Sequence, residues 1–297
     1  MRKNSAKMLK WGFLGALLLL LSASGCAVRE EGCLDVQAVN FSVEAEKACS
    51  SCCQYPQLRL DLLHKYTVND SLLNLTLNSG AYPDGAGNMI RFKDIRFYLS
   101  ELHLVTEDGA DIGVGEEVLL RKWVSGSDSL KFEVENNFAL ATPASLSRKV
   151  LGTFLQSGKI KGIRLTLGIA APARDADPAS APTGHPLSPQ TDPLWIQGTG
   201  YLDAKLSVFP GSGPADTIPR VMEFASGGAF FQTIELLAPQ AVSIAPGYHA
   251  SVGLRIDYGA WFKNADVRND PVEDLLRKVA DNVKNSWAVT QITAQEN

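Results

Sequence analysis

Residues 89–105 read MIRFKDIRFYLSELHLV, and the way their apolar side chains recur decides the fold. Ile95, Phe97 and Leu99 fall at every second position, the spacing of a strand whose side chains alternate between two faces. A helix would instead gather apolar residues every three or four positions. The stretch therefore predicts one or two β-strands. The turn-forming YPDGAGN at 82–88 and EDG at 107–109 close it at either end.

The same period continues outward. LRLDLL at 58–63, LLNLTL at 72–77, LKFEVE at 130–135, GIRLTLGI at 162–169, YLDAKLSVF at 201–209, FQTIEL at 231–236 and ASVGLRIDY at 250–258 all alternate. Short strands separated by turns predict a mainly β protein, a sandwich or a barrel, and of the two a β-sandwich of immunoglobulin- or cupredoxin-like kind with one or two short helices is expected. One helix is expected over 143–158, where Leu146, Val150, Leu151, Phe154 and Leu155 approach helical spacing and Gly158 supplies a stop. The other is expected after Asp270, which would cap it, with Pro271 at the first helical position and Glu273 completing a capping box. Val272, Leu275, Leu276, Val279, Val283 and Trp287 would then form one apolar stripe lying on the sheet. Between 171 and 193 runs a proline-rich loop, and long loops in compact domains are usually functional or disordered.

The chain opens with Arg2, Lys3, Lys7 and Lys10 followed by an apolar run from Trp11 to Leu21, shorter than the about 20 residues a bilayer requires. Ala23, Ser24 and Gly25 precede Cys26 as in a bacterial lipoprotein cleavage site, although leucine is usual where Ala23 stands. The leader is thus expected to end at residue 25, leaving Cys26 lipidated and the chain anchored to a lipid bilayer. Ala27, in place of aspartate, favours an outer-membrane lipoprotein of the cell envelope, facing either the periplasm or the exterior. Residues 26–57 read as a cysteine-bearing tether and 58–297 as the sandwich domain. Cys33, Cys49, Cys52 and Cys53 are expected to form two disulfides in an oxidising compartment, with three pairings open and a Cys52–Cys53 bond disfavoured by geometry. The alternative for them is a thiolate site for zinc or copper(I).

Several classes are disfavoured. A net charge of −4, with no basic cluster outside the leader, argues against nucleic acid. No nucleophile elbow, phosphate loop, H-E-x-x-H or dinucleotide fingerprint occurs, so no enzyme is expected. Of the four histidines, His64 ends a strand, and His103 and His249 fall on the polar faces of theirs, where a surface position is expected. His185 differs. It stands in the long loop between Gly184 and Pro186, and loops carry function disproportionately.

Four segments in order carry a family resemblance: GAGNMIRFKDIRFYLSELHLVTEDG at 85–109, GKIKGIRLTLGI at 158–169, HPLSPQTDPLW at 185–195 with Gly200-Tyr201, and LRIDYGAWF at 254–262. The chain resembles the MbnP-like family of bacterial copper-binding envelope proteins over roughly residues 58–262. The resemblance implies copper as cofactor and a dihaem peroxidase-like partner that oxidises a tryptophan to kynurenine. Carried over by position, His185 matches the family's loop histidine and Trp195 its first tryptophan. Gln197 stands where a second tryptophan is usual, and a later histidine is absent, leaving Glu223 as the nearest potential ligand. The implied metal set is His185, Trp195 and Glu223. The departures keep a second function open, a metal-free surface module that binds a protein or glycan partner.

Overall fold

The computed structural model describes residues 29–296 apart from Ser50, Val114, Gly115, Gly126, Ser127, Ser145, Leu146, Ser147 and Pro214. The leader and Cys26 lie outside the described residues. Residues 29–35 and 41–53 form one compact unit, and residues 36–40 and 54–296 another. In the first, β1 (Glu31–Gly32) pairs in parallel with β2 (Lys47–Ala48). Of the three pairings, the chain adopts Cys33–Cys53 and Cys49–Cys52, leaving the adjacent cysteines unbonded to each other.

In the second unit every alternating stretch named above enters a strand. The strands are β3 (Gln57–Val68), β4 (Ser71–Asn74), β5 (Tyr82–Pro83), β6 (Met89–Thr106), β7 (Asp111–Gly113), β8 (Glu117–Ser125), β9 (Asp128–Glu135), β10 (Ala139–Ala141) and β11 (Arg148–Thr153). They continue as β12 (Gly158–Leu167), β13 (Trp195–Ile196), β14 (Gly200–Phe209), β15 (Arg220–Ala225), β16 (Gln232–Ile244), β17 (His249–Asp257) and β18 (Trp287–Gln295). Two helices, α1 (Tyr258–Trp261) and α2 (Val272–Val283), separate β17 from β18.

The opening stretch is a single strand, β6, and it is the spine of the larger sheet. It pairs with β14 along its first half and with β12 along its second, and β16 continues the sheet beyond β12. Its core-facing residues change parity twice, from Ile90 and Phe92 to Ile95, Phe97 and Leu99, then to Leu102 and Leu104. Each change coincides with a slip in the ladder. Ser207 and Val208 face Asp94 and Phe92, and Arg164 and Thr166 face His103 and Ser100. An extra residue at each point makes a β-bulge, which turns the following side chains over and lets one strand of 18 residues stay on the core. Glu101, at the second slip, has φ 51°.

The smaller sheet runs β11-β3-β17-β18, with β4 on β3 and a parallel pairing between β3 and β17. Leu58, Leu60 and Leu62 of β3 and Val252, Leu254 and Ile256 of β17 join Phe97, Leu165 and Leu206 of the larger sheet in one core, so the domain is a β-sandwich. Helix α2 adds Leu275, Val279 and Val283 to it.

Three expectations are corrected. Residues 148–153 are strand β11, not helix: Arg148 and Lys149 pair with Asp61 and Leu60 of β3, and only Leu151 of the strand turns inward. A β-branched valine and Gly152 make this a poor helix, and a waiting strand edge decides the matter. Asp270 does not cap α2. Its carboxylate accepts the Asp266 N–H at 2.7 Å and pairs with Lys278 at 2.6 Å. Trp287, placed on the helical stripe by its spacing, opens β18 instead.

Candidate functional site

Tyr98 follows Phe97 in β6 and points to the opposite face of the larger sheet. It is nevertheless fully buried, because the β8–β9 hairpin and the loop from Ile169 to Leu194 cover it with a second apolar cluster. The loop is ordered by three short 3-10 turns, Ala171–Ala173, Pro178–Ser180 and Pro189–Thr191, each with a proline in its first two positions. Proline fits there because its fixed φ suits a helical start and its missing N–H is not needed.

Two phenols fasten this loop. The Tyr98 hydroxyl accepts the Leu194 N–H at 3.2 Å and donates to the Pro186 carbonyl at 3.3 Å. The Tyr201 hydroxyl donates to the Leu187 carbonyl at 2.7 Å. Burial raises both phenols well above their ordinary pKa, so they stay protonated and keep donating.

His185 lies within this clasp. It is 7% exposed and meets the Phe138 ring edge-on, with centroids 5.6 Å apart. Its Nδ1 accepts the Leu187 N–H at 3.2 Å, which places the proton of the neutral ring on Nε2. Nε2 is buried without a protein partner. Burial pushes the imidazole pKa down from 6.5 to about 4, so the ring is uncharged at neutral pH. Ser188 donates its N–H to the His185 carbonyl at 2.8 Å, and its own hydroxyl is also buried and unpartnered. One turn thus holds two orphaned polar groups, each costing about 1–3 kcal/mol where nothing satisfies it.

Trp195 joins the same cluster from the other side. In β13 it pairs with Tyr201 of β14, and the two rings meet at 4.9 Å and 69°. Tyr201 therefore bridges the two residues, its hydroxyl holding the His185 turn and its ring holding the indole. Glu223 is elsewhere. Its carboxylate sits 2.6 Å from Lys205, its partner across the β14–β15 ladder. Lys205 lies four residues beyond Tyr201, about 13 Å along a strand. The fold does not bring Glu223 to His185. Gln197 is exposed in the turn between β13 and β14.

His64 shares two features with His185, a buried Nε2 without a protein partner and a pKa pushed by burial from 6.5 down to about 4, but it stands in strand β3 and not in the loop. His249, expected at the surface, is 5% exposed and accepts the Gln57 N–H at 2.9 Å through Nδ1, a correction due to the edge of the core closing over the start of β17. The His64 Nδ1 lies 2.7 Å from the Tyr258 hydroxyl. His103 lines a shallow recess of about 370 Å³ with Glu101, Glu135 and Arg164. Among the described residues, the one group of three or more His, Cys, Asp or Glu side chains with ligand atoms within 4.8 Å of each other is Cys49, Cys52 and Cys53.

An uncharged imidazole with an orphaned nitrogen is a donor that copper accepts. A metal held at Nδ1 would displace the 3.2 Å bond from Leu187, and one held at Nε2 would require the ring proton to sit on Nδ1, at the cost of the same bond. Either costs one long backbone hydrogen bond, about 1 kcal/mol. The loop fits copper at this donor, with the Phe138 ring against the imidazole and the indole of Trp195 beyond Tyr201. Tyr98, Phe138 and Ser188 escaped the sequence reading. Only Tyr98 carried a signal, as a large aromatic on the face of β6 away from Phe97 and Leu99.

Two packed sheets, with a loop fastened over the outer face of the larger one and His185 buried and uncharged beneath it, define the class, a β-sandwich protein with one loop-covered face. The chain belongs to the MbnP family: the family model described as MbnP matches residues 56–277. Among solved structures, MbnP from Methylosinus trichosporium is similar, at 12% identity and a TM-score of 0.44, over 80% of this chain and 98% of that one. No curated protein matches the chain.

Proposed function

We propose that this MbnP-family protein handles copper at the cell envelope as a lipid-anchored binding protein rather than an enzyme, with His185 as its anchoring donor. The observation that carries the reading is the orphaned, uncharged His185 ring in a loop fastened by Tyr98 and Tyr201. At neutral pH the ring carries no second proton, so a metal at Nδ1 would compete only with the Leu187 N–H. Trp195 stands where oxidation by a dihaem peroxidase-like partner would expose an aromatic amine and a ketone in the same cluster. Bound copper would there polarise its ligands, and the protein's part is to hold the imidazole, exclude water and fix the loop.

The test is a copper titration of the protein beside a His185→Ala variant, followed by intact mass measurement of protein taken from its native host. A stoichiometric site lost in the variant supports the reading, and equal, negligible binding by both removes copper from it. The second reading, a metal-free module for a protein or glycan partner, is favoured by the position of Glu223 against Lys205. That pairing leaves the loop with a single imidazole.

A further inference from the structure

The small N-terminal unit contains a metal-ligand set that the loop site does not use. The Sγ atoms of Cys49, Cys52 and Cys53 all lie within 4.8 Å of one another, Cys52 exposed and the other two half-buried. All three are oxidised, Cys49 with Cys52 and Cys53 with Cys33. Cys33, 1% exposed, stands outside the cluster. We infer that, once reduced, Cys49, Cys52 and Cys53 form a three-thiolate copper(I) site, and that the two disulfides are its closed, oxidised state. The inference does not depend on His185.

Three considerations carry it. A metal–sulfur bond of about 2.3 Å in a trigonal plane sets the sulfurs about 4 Å apart, so reduction must let the bonded Cys49 and Cys52 sulfurs part by about 2 Å, while Cys53, within 4.8 Å of both, needs to close on them by less than about 1 Å. Three mutually close thiolates suit copper(I), and the fourth, Cys33, adjoins Cys53 but lies beyond 4.8 Å of at least one of the other two, whereas structural zinc asks for four donors that meet. Finally, exposed disulfides are the labile ones, and Cys52 is the sulfur that a reductant meets first.

The chemistry closes with a dithiol protein as reductant. Its thiolate attacks Sγ of Cys52, forming a mixed disulfide and releasing Cys49 as thiolate. The second thiol of the reductant then attacks the mixed disulfide, freeing Cys52 and leaving the reductant oxidised. Cys49 next attacks Sγ of Cys53, so that a Cys49–Cys53 bond forms, the Cys33–Cys53 bond breaks and Cys33 leaves as thiolate. A second dithiol reduces the Cys49–Cys53 bond in the same way. Two dithiols become two disulfides, four cysteines become thiols, and copper(I) displaces one proton from each of its three ligands.

The test uses residues 27–297, which retain every described residue, carrying His185→Leu so that the loop cannot contribute. Protein reduced with a phosphine, and a parallel oxidised sample, are titrated with copper(I) against a colorimetric copper(I) chelator under argon, and separately with zinc. The expected result is one copper(I) per reduced chain and none per oxidised chain. Cys33→Ser should keep the affinity, and Cys53→Ser should lower it at least tenfold. Should either variant fail to fold, alkylation of the reduced parent read by peptide mass takes its place, with copper(I) protecting Cys49, Cys52 and Cys53 together. Absence of copper(I) binding after reduction, binding of zinc alone, or equal affinity in Cys53→Ser and the parent would overturn the proposal.

Discussion

Replacing His185 by leucine tests whether the loop histidine is held neutral by burial. In the folded chain its pKa is lowered from 6.5 to about 4. A lowered folded-state value means that the fold tolerates only the uncharged ring. The stability of that state is fully present above pH 6.5 and is lost as pH falls from 6.5 toward 4. At pH 4.5 linkage gives a loss of at most about 2.5 kcal/mol from this residue. Leucine cannot take a proton, so the variant escapes that loss. At pH 7.5 two terms oppose each other: the Leu187 N–H loses its acceptor, worth about 1 kcal/mol, while the orphaned Nε2–H disappears, worth about 1–3 kcal/mol. The variant should therefore lie within about 2 kcal/mol of the parent at pH 7.5 and gain on it at pH 4.5. For a domain of this size the gain is about 5–10 °C in Tm. Thermal unfolding of both metal-free proteins at the two pH values measures it, since His64 and every other titrating group is common to both and cancels. A relative gain under about 2 °C would refute the claim that His185 is buried and uncharged.

Phe138→Ala should destabilise the domain by about 3–5 kcal/mol and, by admitting water to His185, move its pKa back toward 6.5; histidine NMR titration reads the second effect directly. Asp203→Ala should cost about 2–5 kcal/mol in chemical unfolding, because the buried carboxylate accepts the Ile169 N–H at 2.9 Å and the Gly227 N–H at 2.8 Å and the variant leaves both unpaired. Gly168→Ala should be at least as damaging: φ there is 105°, and the new Cβ would stand 2.6 Å from the Asp203 carboxyl, so soluble yield and Tm should both fall. Tyr258→Phe should lower stability by about 1–3 kcal/mol, as the His64 Nδ1 would lose its 2.7 Å partner inside the core.

The sandwich was legible because apolar alternation is set by burial on one face of each strand, and burial is what the fold realises. Where the reading failed, a tertiary partner outweighed the local signal. Val150, Leu151 and Phe154 approach helical spacing, yet the free edge of β3 draws residues 148–153 into a strand. Asp270 has the side chain of a cap, yet Lys278 and the Asp266 N–H claim it. The polar-face position of His249 says nothing of the Gln57 N–H, which comes from a residue 192 positions away. Similarly, β8 lacks a clean alternation of apolar and polar residues, so the cover over Tyr98 is not visible in the sequence. The candidate site divided along the same line. His185 and Trp195 are close in sequence and joined through Tyr201, whereas the placement of Glu223 depends on the β14–β15 register, which spacing alone does not fix.

The parallel pairing of β3 with β17 sets Leu58 beside Ala250 and Lys65 beside Asp257. The first long strand of the domain thus finds one of its neighbours only after nearly the whole chain has been made. Until then its inner row of leucines has no lasting cover on that flank, and contacts so distant along the chain form slowly. Completion of the sandwich is therefore timed by its C-terminus, and a polypeptide cut short before His249 would be left with a raw sheet edge, ready to stick to other chains.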